Sequence, residues 1–300
     1  MLVQQWLHKH QNPDDCSKAR IAIINNYAWS GLGSTIHQVV WAVAKALADD
    51  RIFVYANPGT WIWAQCEKKN PDCFFLPVTN CSSLQVVDNN RVIIINANGG
   101  YFGAIKRPFP FSNRTFNWWR TQLAYYMIRF NERVTEHIEQ ITNQTFPQGL
   151  EHARPLIAVF IRRSDKIAQK EMLRAYSLRE YFDLFDSDAK RALVRNVYLN
   201  SEDEGVFDEF KKNLIYSSYY RLFYINQTRG YVFHQFGGQS AERLSQIALN
   251  FLTDLYIEAN ADMHVGTLSS NWCRLVDELR LSAGKKIPYY TPEEGHYQGF

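Results

Sequence analysis

The segment from Phe160 to Lys166, FIRRSDK, places three cationic side chains around one carboxylate. It directly follows the apolar run LIAV at 156–159, which is typical of a buried strand. A planar guanidinium can hold two phosphate oxygens at once, so adjacent arginines at a strand end are suited to binding a diphosphate. The alternative is a solvated charge cluster at the end of a strand, and the residue types alone leave both interpretations open.

Two further polar clusters follow predicted strands in the second half of the chain. They are Ser201-Glu202-Asp203-Glu204 and Ser269-Ser270-Asn271, and the second opens a helix. A helix start offers free backbone N–H groups and the positive end of the helix dipole. Because ligands of parallel α/β sheets bind at the carboxyl ends of strands, the three clusters favour a diphosphate site with carboxylates that accept hydrogen bonds from a base or ribose.

The first half carries a glycine loop, Ser30-Gly31-Leu32-Gly33-Ser34-Thr35, between a predicted strand and a helix. It lacks the lysine of a P-loop, and Ile36 stands where a dinucleotide fingerprint has its third glycine. The sequence therefore supports neither an NTPase nor an NAD enzyme. We expect instead that the small residues let backbone N–H groups approach a ligand closely.

One possible metal motif is Asp186-Ser187-Asp188, which resembles the DxD of one glycosyltransferase class. It follows a helix of apolar periodicity, whereas that motif follows a strand. We interpret it as a helix-end feature and predict no metal site.

The elements that position these clusters alternate between strand and helix, which predicts two α/β domains with parallel sheets. A length of 300 residues also favours two hydrophobic cores. We place the domains at 1–150 and 151–300, with NQTFPQGLEHARP as the linker. Strands are predicted at 20–24, 51–56, 91–95 (a buried strand), 156–161, 196–200 and 263–267, and helices at 36–47, 118–142, near 178–190, near 204–213, at 240–258 and after Ser269.

The composition is that of a soluble globular protein, with 46% hydrophobic and 21% charged residues. A net charge of +3 is too small to indicate a nucleic-acid partner. The eight tryptophans hint at sugar stacking, although core filling is the commoner reason for such content. No apolar run is long enough to span a membrane, and the N-terminus lacks a signal-peptide stretch, so we expect no membrane anchor in this chain.

The five cysteines fit no CxxC metal pattern. Four lie within the first 81 residues, which suits two disulfides and one thiol as well as five buried thiols. Four N-x-S/T sequons, at Asn80, Asn113, Asn143 and Asn226, favour a secretory compartment mildly, because chance alone could supply several.

Several motifs in order resemble the α1,6-fucosyltransferase family, whose members use GDP-fucose and carry the motif HxRRxDK. The resemblance covers roughly residues 11 to 282 and implies a GT-B-like glycosyltransferase with two Rossmann-like α/β domains, an acceptor-side domain and then a GDP-sugar-binding domain. The matching stretches are QNPDDCSKA, GLGSTIHQVV, the WW…YYMIR helix, RRSDK, VYLNSED and DLYIEANADMHVGTLSSNWCRLVDEL.

The resemblance also implies roles for single residues. Arg162 grips the β-phosphate with Arg163 as its supporting neighbour, and Asp165 and Lys166 complete the motif. Arg162 and Lys166 also count as catalytic. Asp254 corresponds to an aspartate at the guanine and ribose end. The other implied donor-binding positions are Glu202, Asp203, Ser269 and Ser270, with Gly31, Leu32, Gly33 and Ser34 from the first domain.

The family places its catalytic base shortly after the motif lysine, and Glu171 is the candidate here, one position beyond the family spacing. Asp165 is the rival, but the neighbouring cations should lower its pKa and make it a poor proton acceptor. In and after the RRSDK motif, this chain departs from the family in two ways. Phe160 replaces the motif histidine, and two extra residues lie between Lys166 and Tyr181.

The implied activity is inverting, metal-independent transfer of fucose from GDP-fucose to a glycan or glycoprotein acceptor. The implied linkage is α1,6 to an N-glycan core GlcNAc or a similar chito-oligosaccharide. The implied place is the Golgi lumen or another part of the secretory pathway, with the cytoplasm as the alternative. A catalytically silent GDP-sugar or glycan-binding relative is the alternative function. The resemblance further implies a Cys16–Cys81 disulfide, a local Cys66–Cys73 bridge and a buried thiol at Cys273.

Overall fold

The computed structural model of this chain describes residues 2–82, 85, 88–99, 105–163, 174–229, 238–285 and 290–293. The chain divides into two units, Met1–Thr135 and Glu136–Phe300, and each is built on a parallel sheet. The predicted alternation of strands and helices is thus observed in both halves. The division between the units falls within the helix that precedes residue 150, and the predicted boundary at residue 150 stays a prediction.

The first unit has a sheet of three parallel strands. Its elements in chain order are α1 Val3–Gln11, β1 Ile21–Asn25, α2 Leu32–Ala48, β2 Ile52–Tyr55, β3 Val92–Asn96 and α3 Phe116–Met127. The strand order is β2-β1-β3. Helix α2 buries the side of apolar residues that runs from Ile36 to Leu47, as its helical spacing predicts.

Strand β3 is not the fully buried strand that its apolar sequence predicts. Among the described strands it pairs with β1 alone, so it lies at an edge of this sheet. Ile94 is 65% exposed, whereas Ile95 is buried. A uniformly apolar run does not distinguish a central strand from an edge strand, which explains the error.

The single helix predicted over 118–142 is also wrong. Helix α3 ends at Met127, and a separate helix, α4, spans Glu132–Thr145. Between them Asn131 donates its N–H to the carbonyl of Phe74 at 3.0 Å, which draws the backbone away from the helix. The side-chain oxygen of Asn131 then accepts a backbone N–H in the first turn of α4 at 3.1 Å. Apolar periodicity continues across this break and so conceals it.

The second unit has a sheet of four parallel strands in the order β6-β5-β4-β7. Strand β4 lies between β5 and β7, and all six of its residues are buried, in agreement with its continuous apolar sequence. After α4, the elements are β4 Leu156–Ile161, α5 Leu178–Phe182, α6 Asp186–Arg191, β5 Asn196–Ser201, α7 Gly205–Lys212, α8 Leu214–Ser217, β6 Arg221–Phe223, α9 Ala241–Asn260, β7 Met263–Val265 and α10 Asn271–Ser282.

A turn at 183–185 divides the helix predicted near 178–190 into α5 and α6. Asp186 and Asp188 therefore lie in the first turn of α6. Asp186 accepts hydrogen bonds from Lys190 and from the hydroxyl of Tyr220, at 2.8 and 3.0 Å. These protein partners give the DSD stretch a structural role at a helix end.

The cysteines form the bridges that the family resemblance implies. Disulfides join Cys16 to Cys81 and Cys66 to Cys73, and Cys273 is a buried thiol. The first bridge closes a long loop around β1 and β2, since its cysteines are 65 residues apart. Within the described part of the chain, no helix combines the length and apolarity that crossing a membrane requires.

Candidate active site

The predicted arginines lie where the central strand of the second sheet ends. Arg162 and Arg163 directly follow β4, and Glu202 directly follows β5. The two strands are parallel, and Ile161 is in register with Ser201. The register therefore brings the arginines and the carboxylate together at the carboxyl edge of the sheet, although about 40 residues separate them in sequence.

Glu202 contacts both arginines. Its Oε1 lies 2.8 Å from Nη1 of Arg162 and accepts the backbone N–H of Arg163 at 2.6 Å. The side chains of Arg162 and Glu202 are only 17% and 15% exposed. Since a charge-assisted hydrogen bond in a poorly hydrated place is strong, Glu202 holds the guanidinium of Arg162 in a defined position.

Arg163 is directed into the surrounding protein. Its Nη2 donates to Oε2 of Glu209 at 2.7 Å, and its Nε donates to the carbonyl of Tyr176 at 3.3 Å. Asp203 is a weaker partner at 3.7 Å. The other oxygen of Glu209 accepts the backbone N–H of Leu178, at the start of α5. Arg163 therefore braces the end of β4 against α5 and α7, and its role beside the donor stays a prediction.

Arg229 is a third arginine at this edge, and it was not predicted from the sequence. Its side chain is 4% exposed, and Nη1 donates to the carbonyl of Ser201 at 2.7 Å. Nη2 donates to the carbonyl of Ile225 at 2.7 Å, and the guanidinium lies 4.2 Å from the ring of Phe207. The available signal was its place after β6, at the same edge of the sheet as the other two arginines.

Asp254 is completely buried in α9. One oxygen accepts the hydroxyl of Tyr198, and the other accepts the side-chain amide of Gln227 at 2.9 Å. Burial raises the pKa of Asp254 to about 7, although Arg229 acts in the opposite direction. In this structure the carboxyl group is thus separated from the surface by Gln227.

Gln227 belongs to the wall of a polar cleft of about 290 Å³ beside α9. This volume lies just below the range for small-molecule sites, about 300–1,000 Å³. The walls combine amide groups, one arginine and one aromatic ring. They comprise Asn226, Gln227, Thr228, Arg243, Gln246, Ile247, Asn250 and Phe251.

Phe160, at the position of the family histidine, is buried near the end of β4. Its ring centroid is 6.2 Å from that of Trp272, which in turn lies 6.1 Å from Phe251 in the wall of the cleft. The indole N–H of Trp272 donates to the buried Glu258 at 3.0 Å. Where the family has a hydrogen-bonding ring, this chain therefore has an aromatic cluster that reaches the cleft.

A buried ionic network supports this cluster and was not predicted. Glu258 accepts the amide of Asn200 at 2.6 Å and lies 3.5 Å from Nε2 of His264. Nδ1 of His264 lies 2.9 Å from Asp277. Burial by itself would lower the pKa of His264, but Asp277 and Glu258 outweigh it and raise that pKa to about 9. The position of His264 in the middle of the short strand β7 does not indicate these partners.

The serines lie at the start of α10, as predicted. Ser270 is the N-cap residue, and its hydroxyl does not cap the helix. Ser269 donates its hydroxyl and, at 3.1 Å, its N–H to Glu293. Just before them, Thr267 is fully buried, and its hydroxyl has no hydrogen-bond partner among the described residues. An unsatisfied buried hydroxyl beside a helix start suits a bound ligand or water.

The glycine loop lies in the first unit, where Gly31 is the N-cap of α2. A Cβ added to Gly31 would meet no atom within 4 Å, and its φ of −55° is open to any residue. Neither packing nor backbone conformation therefore requires glycine at this position. Leu32 and Gly33 are buried and Ser34 is half-buried in the first turn of the helix. The predicted contact of this loop with the donor stays a prediction.

Three predicted residues of the catalytic loop lie outside the described residues. They are Asp165, Lys166 and the candidate base Glu171.

Comparison with known proteins identifies the family. A family model described as the alpha-(1,6)-fucosyltransferase N- and catalytic domains matches residues 1–96 and 109–286. The chain belongs to the alpha-(1,6)-fucosyltransferase family. This confirms the resemblance that the motifs indicate.

Two alpha-(1,6)-fucosyltransferases are similar to this chain over nearly the whole length of the chain. The Caenorhabditis elegans protein is 25% identical over 93% of this chain and 52% of its own length. The Drosophila melanogaster protein is 24% identical over 98% of this chain and 51% of its own length. The chain thus spans about half the length of these curated relatives.

Solved structures of fucosyltransferases have a similar fold. POFUT1 in complex with GDP-fucose has a TM-score of 0.53 at 13% identity, over 92% of this chain and 98% of that one. NodZ alpha-1,6-fucosyltransferase soaked with GDP-fucose has a TM-score of 0.51 at 14% identity, over 87% and 93%. A mutant of Arabidopsis thaliana FUT1 in complex with GDP has a TM-score of 0.55 at 14% identity, over 97% of this chain and 75% of that one. These likenesses confirm the predicted fold class, α/β with two Rossmann-like domains of the GT-B type.

Proposed function

We propose that this chain transfers fucose from GDP-fucose to a glycan acceptor. The observation that carries the proposal is the position of Arg162 at the end of β4, within the family motif and 2.8 Å from Glu202. A guanidinium held at the carboxyl edge of a parallel sheet suits a nucleoside diphosphate. Membership of the family supports this donor. Two proteins of similar fold, POFUT1 and NodZ, have structures obtained with GDP-fucose, which supports the same donor.

In the proposed reaction the oxygen of an acceptor hydroxyl attacks the anomeric carbon of fucose. The bond from that carbon to the β-phosphate oxygen breaks, GDP leaves with the bonding electrons, and the configuration is inverted. Arg162 stabilises the negative charge on the diphosphate, and the start of α10 at Ser270 adds backbone N–H groups and the helix dipole. These groups stabilise the negative charge that develops on GDP as it leaves. We therefore propose a reaction that needs no metal ion.

The acceptor hydroxyl loses its proton as it attacks, and we propose Glu171 as the base. Lys166 and Asp165 complete the motif beside it. Asp165 stays the rival base, although the neighbouring cations should lower its pKa and so favour a structural role.

The guanine and ribose are proposed to bind towards Asp254. Because the amide of Gln227 covers this buried carboxyl group and lines the cleft, Asp254 would act by orienting Gln227. Phe251 in the same wall offers an aromatic surface next to Trp272 and Phe160. In this proposal the nucleotide packs against this aromatic cluster, and that packing replaces the hydrogen bond of the family histidine.

We propose α1,6-linkage to an N-glycan core GlcNAc or a similar chito-oligosaccharide, since the relatives are named alpha-(1,6)-fucosyltransferases. A glycan acceptor carried on a glycoprotein places the enzyme in the secretory pathway, and we propose the Golgi lumen. The two disulfides support this location over the cytoplasm, because disulfides persist in oxidising compartments.

The test is donor selection followed by donor turnover. Calorimetric titration with GDP-fucose, GDP, UDP-GlcNAc and ADP should give measurable binding of the two guanine compounds alone. GDP release from GDP-fucose then separates the enzyme from a silent relative, which would bind GDP-fucose and leave it intact. Equal binding of all four compounds, or none, would refute the proposed donor.

A further inference from the structure

The carboxyl end of the first unit's sheet carries a second group of polar side chains that the donor site does not use. Asn25 ends β1, Asn96 ends β3, and the two are in register. The amide of the next residue, Asn26, donates to the side-chain oxygen of Asn96 at 2.8 Å. Thr60, which follows β2, donates its hydroxyl to the side-chain oxygen of Asn25 at 3.4 Å. Residues at the ends of β1 and β3 and after β2 thus form two side-chain hydrogen bonds at this edge of the sheet.

Amide groups of this kind can bind further partners. A side-chain amide has two N–H donors and a carbonyl oxygen with two lone pairs. Asn26 and Asn96 are exposed, and one hydrogen bond between them uses only part of this capacity. The φ of Asn26 is 51°, in the left-handed region that asparagine tolerates better than most residues. An exposed pair of donors and acceptors in a fixed geometry suits the hydroxyl groups of a sugar.

The same loop presents an exposed tryptophan. Trp29 is 60% exposed, although Tyr27, two residues earlier in the same loop, is buried. Tryptophan combines a large apolar surface with one N–H donor, and carbohydrate sites need both a flat apolar surface and hydrogen bonds. A ligand that covers the exposed part of this ring removes apolar surface from water, which is favourable.

Hydrogen bonds anchor the backbone of this loop on both sides of Trp29. The N–H of Ala28 donates to the carbonyl of Ala97 at 2.8 Å, so the loop continues the pairing of β1 with β3. The indole N–H of Trp63 donates to the carbonyl of Ser30 at 3.1 Å. A ring on a fixed loop loses little conformational entropy when it binds a ligand.

We propose that Trp29, Asn26 and Asn96 form a binding platform for one pyranose ring of the glycan acceptor. The apolar face of the sugar stacks on Trp29, and its hydroxyls bond to the paired amides. This inference rests on the proposed function, because it assigns the acceptor of that reaction. It names residues that lie outside the family's RRxDK motif and outside the glycine loop.

The experiment measures glycan binding directly, with and without GDP, so that it does not depend on transfer. Chito-oligosaccharides and an N-glycan core oligosaccharide are titrated against the wild-type chain, Trp29→Ala and Trp29→Phe. Trp29→Ala should weaken binding by about tenfold or more, and Trp29→Phe should recover part of it because a ring remains. Phe109→Ala is the control, since Phe109 is an aromatic residue of the same unit that is 86% exposed.

The outcomes separate this inference from the proposed function. Equal glycan affinity of Trp29→Ala and wild type, or no binding of any oligosaccharide by wild type at millimolar concentration, would overturn the platform. Either result would leave the proposed binding and turnover of GDP-fucose unaffected. Conversely, a selective loss of glycan binding in Trp29→Ala would support the platform even if wild type failed to bind GDP-fucose. Asn26→Ala should weaken glycan binding in the same direction.

Discussion

Replacing Arg162 by alanine should weaken GDP binding strongly. The change removes a guanidinium that lies 2.8 Å from Glu202 in a setting where both side chains are about five-sixths buried, 17% and 15% exposed. A hydrogen bond to a charged group contributes about 1.5–3 kcal/mol. At about 1.4 kcal/mol for each factor of ten, the loss corresponds to about a 10- to 150-fold higher dissociation constant for GDP.

Folding must be separated from binding in this test. Arg162→Ala leaves Glu202 in place without this partner, which should lower the free energy of unfolding by about 1–3 kcal/mol. GDP titration by calorimetry is therefore run well below the melting temperature of the variant. Arg162→Lys should also lose affinity, because an ammonium group lacks the two-pronged guanidinium geometry.

Arg179→Ala is the matched control for a lost arginine. Arg179 pairs with Asp183 one helical turn later on the same unit, and its side chain is 74% exposed. Such a surface pair contributes about 0–1 kcal/mol to stability, and the donor site does not include it. GDP affinity of Arg162→Ala within twofold of both wild type and Arg179→Ala would refute the diphosphate role.

Three other changes test other parts of the account. Glu171→Gln should leave GDP affinity nearly intact and cut turnover by about 100-fold or more, and near-normal turnover at saturating donor and acceptor would move the base elsewhere. Cys16→Ser with Cys81→Ser should lower the free energy of unfolding by about 4 kcal/mol in urea titration, since 65 residues separate the cysteines; an unchanged unfolding midpoint would contradict this. For Asp254 the pKa is raised to about 7 from 3.8, so the folded state binds more protons than the unfolded state between these values. Stability of wild type relative to Asp254→Asn should thus fall by about 4 kcal/mol as pH rises from 4 to 8, and a pH-independent difference between the two proteins would contradict the buried carboxyl group.

Local patterns predicted most of the strands and helices, but not α1, α8 or β6. Strand β4 is buried on both faces, so its sequence is uniformly apolar and its bounds, Leu156–Ile161, match the prediction. The polar residues that follow β4 and β5 had to meet, because parallel strands end at the same edge of a sheet. The cluster of Arg162 with Glu202 was predictable for that reason.

The remaining parts of the site depend on distant partners. Arg163 pairs with Glu209, which is 46 residues away, and no spacing rule connects them. Glu258 and His264 lie close in sequence, but their interaction depends on the packing of α9 against the sheet and α10. The break between α3 and α4 has the same origin, because Asn131 bonds to Phe74 and apolar periodicity does not report such contacts.

Product formation tests the central claim most directly. Wild-type chain is incubated with GDP-fucose and a panel of N-glycan core and chito-oligosaccharide acceptors, and the products are analysed by mass spectrometry. We predict that at least one acceptor gains a single fucose, with one GDP released for each, and that Arg162→Ala forms little or none of this product. Intact GDP-fucose and unmodified acceptors throughout the panel, with a folded wild-type chain, would contradict the proposal that this chain is a fucosyltransferase.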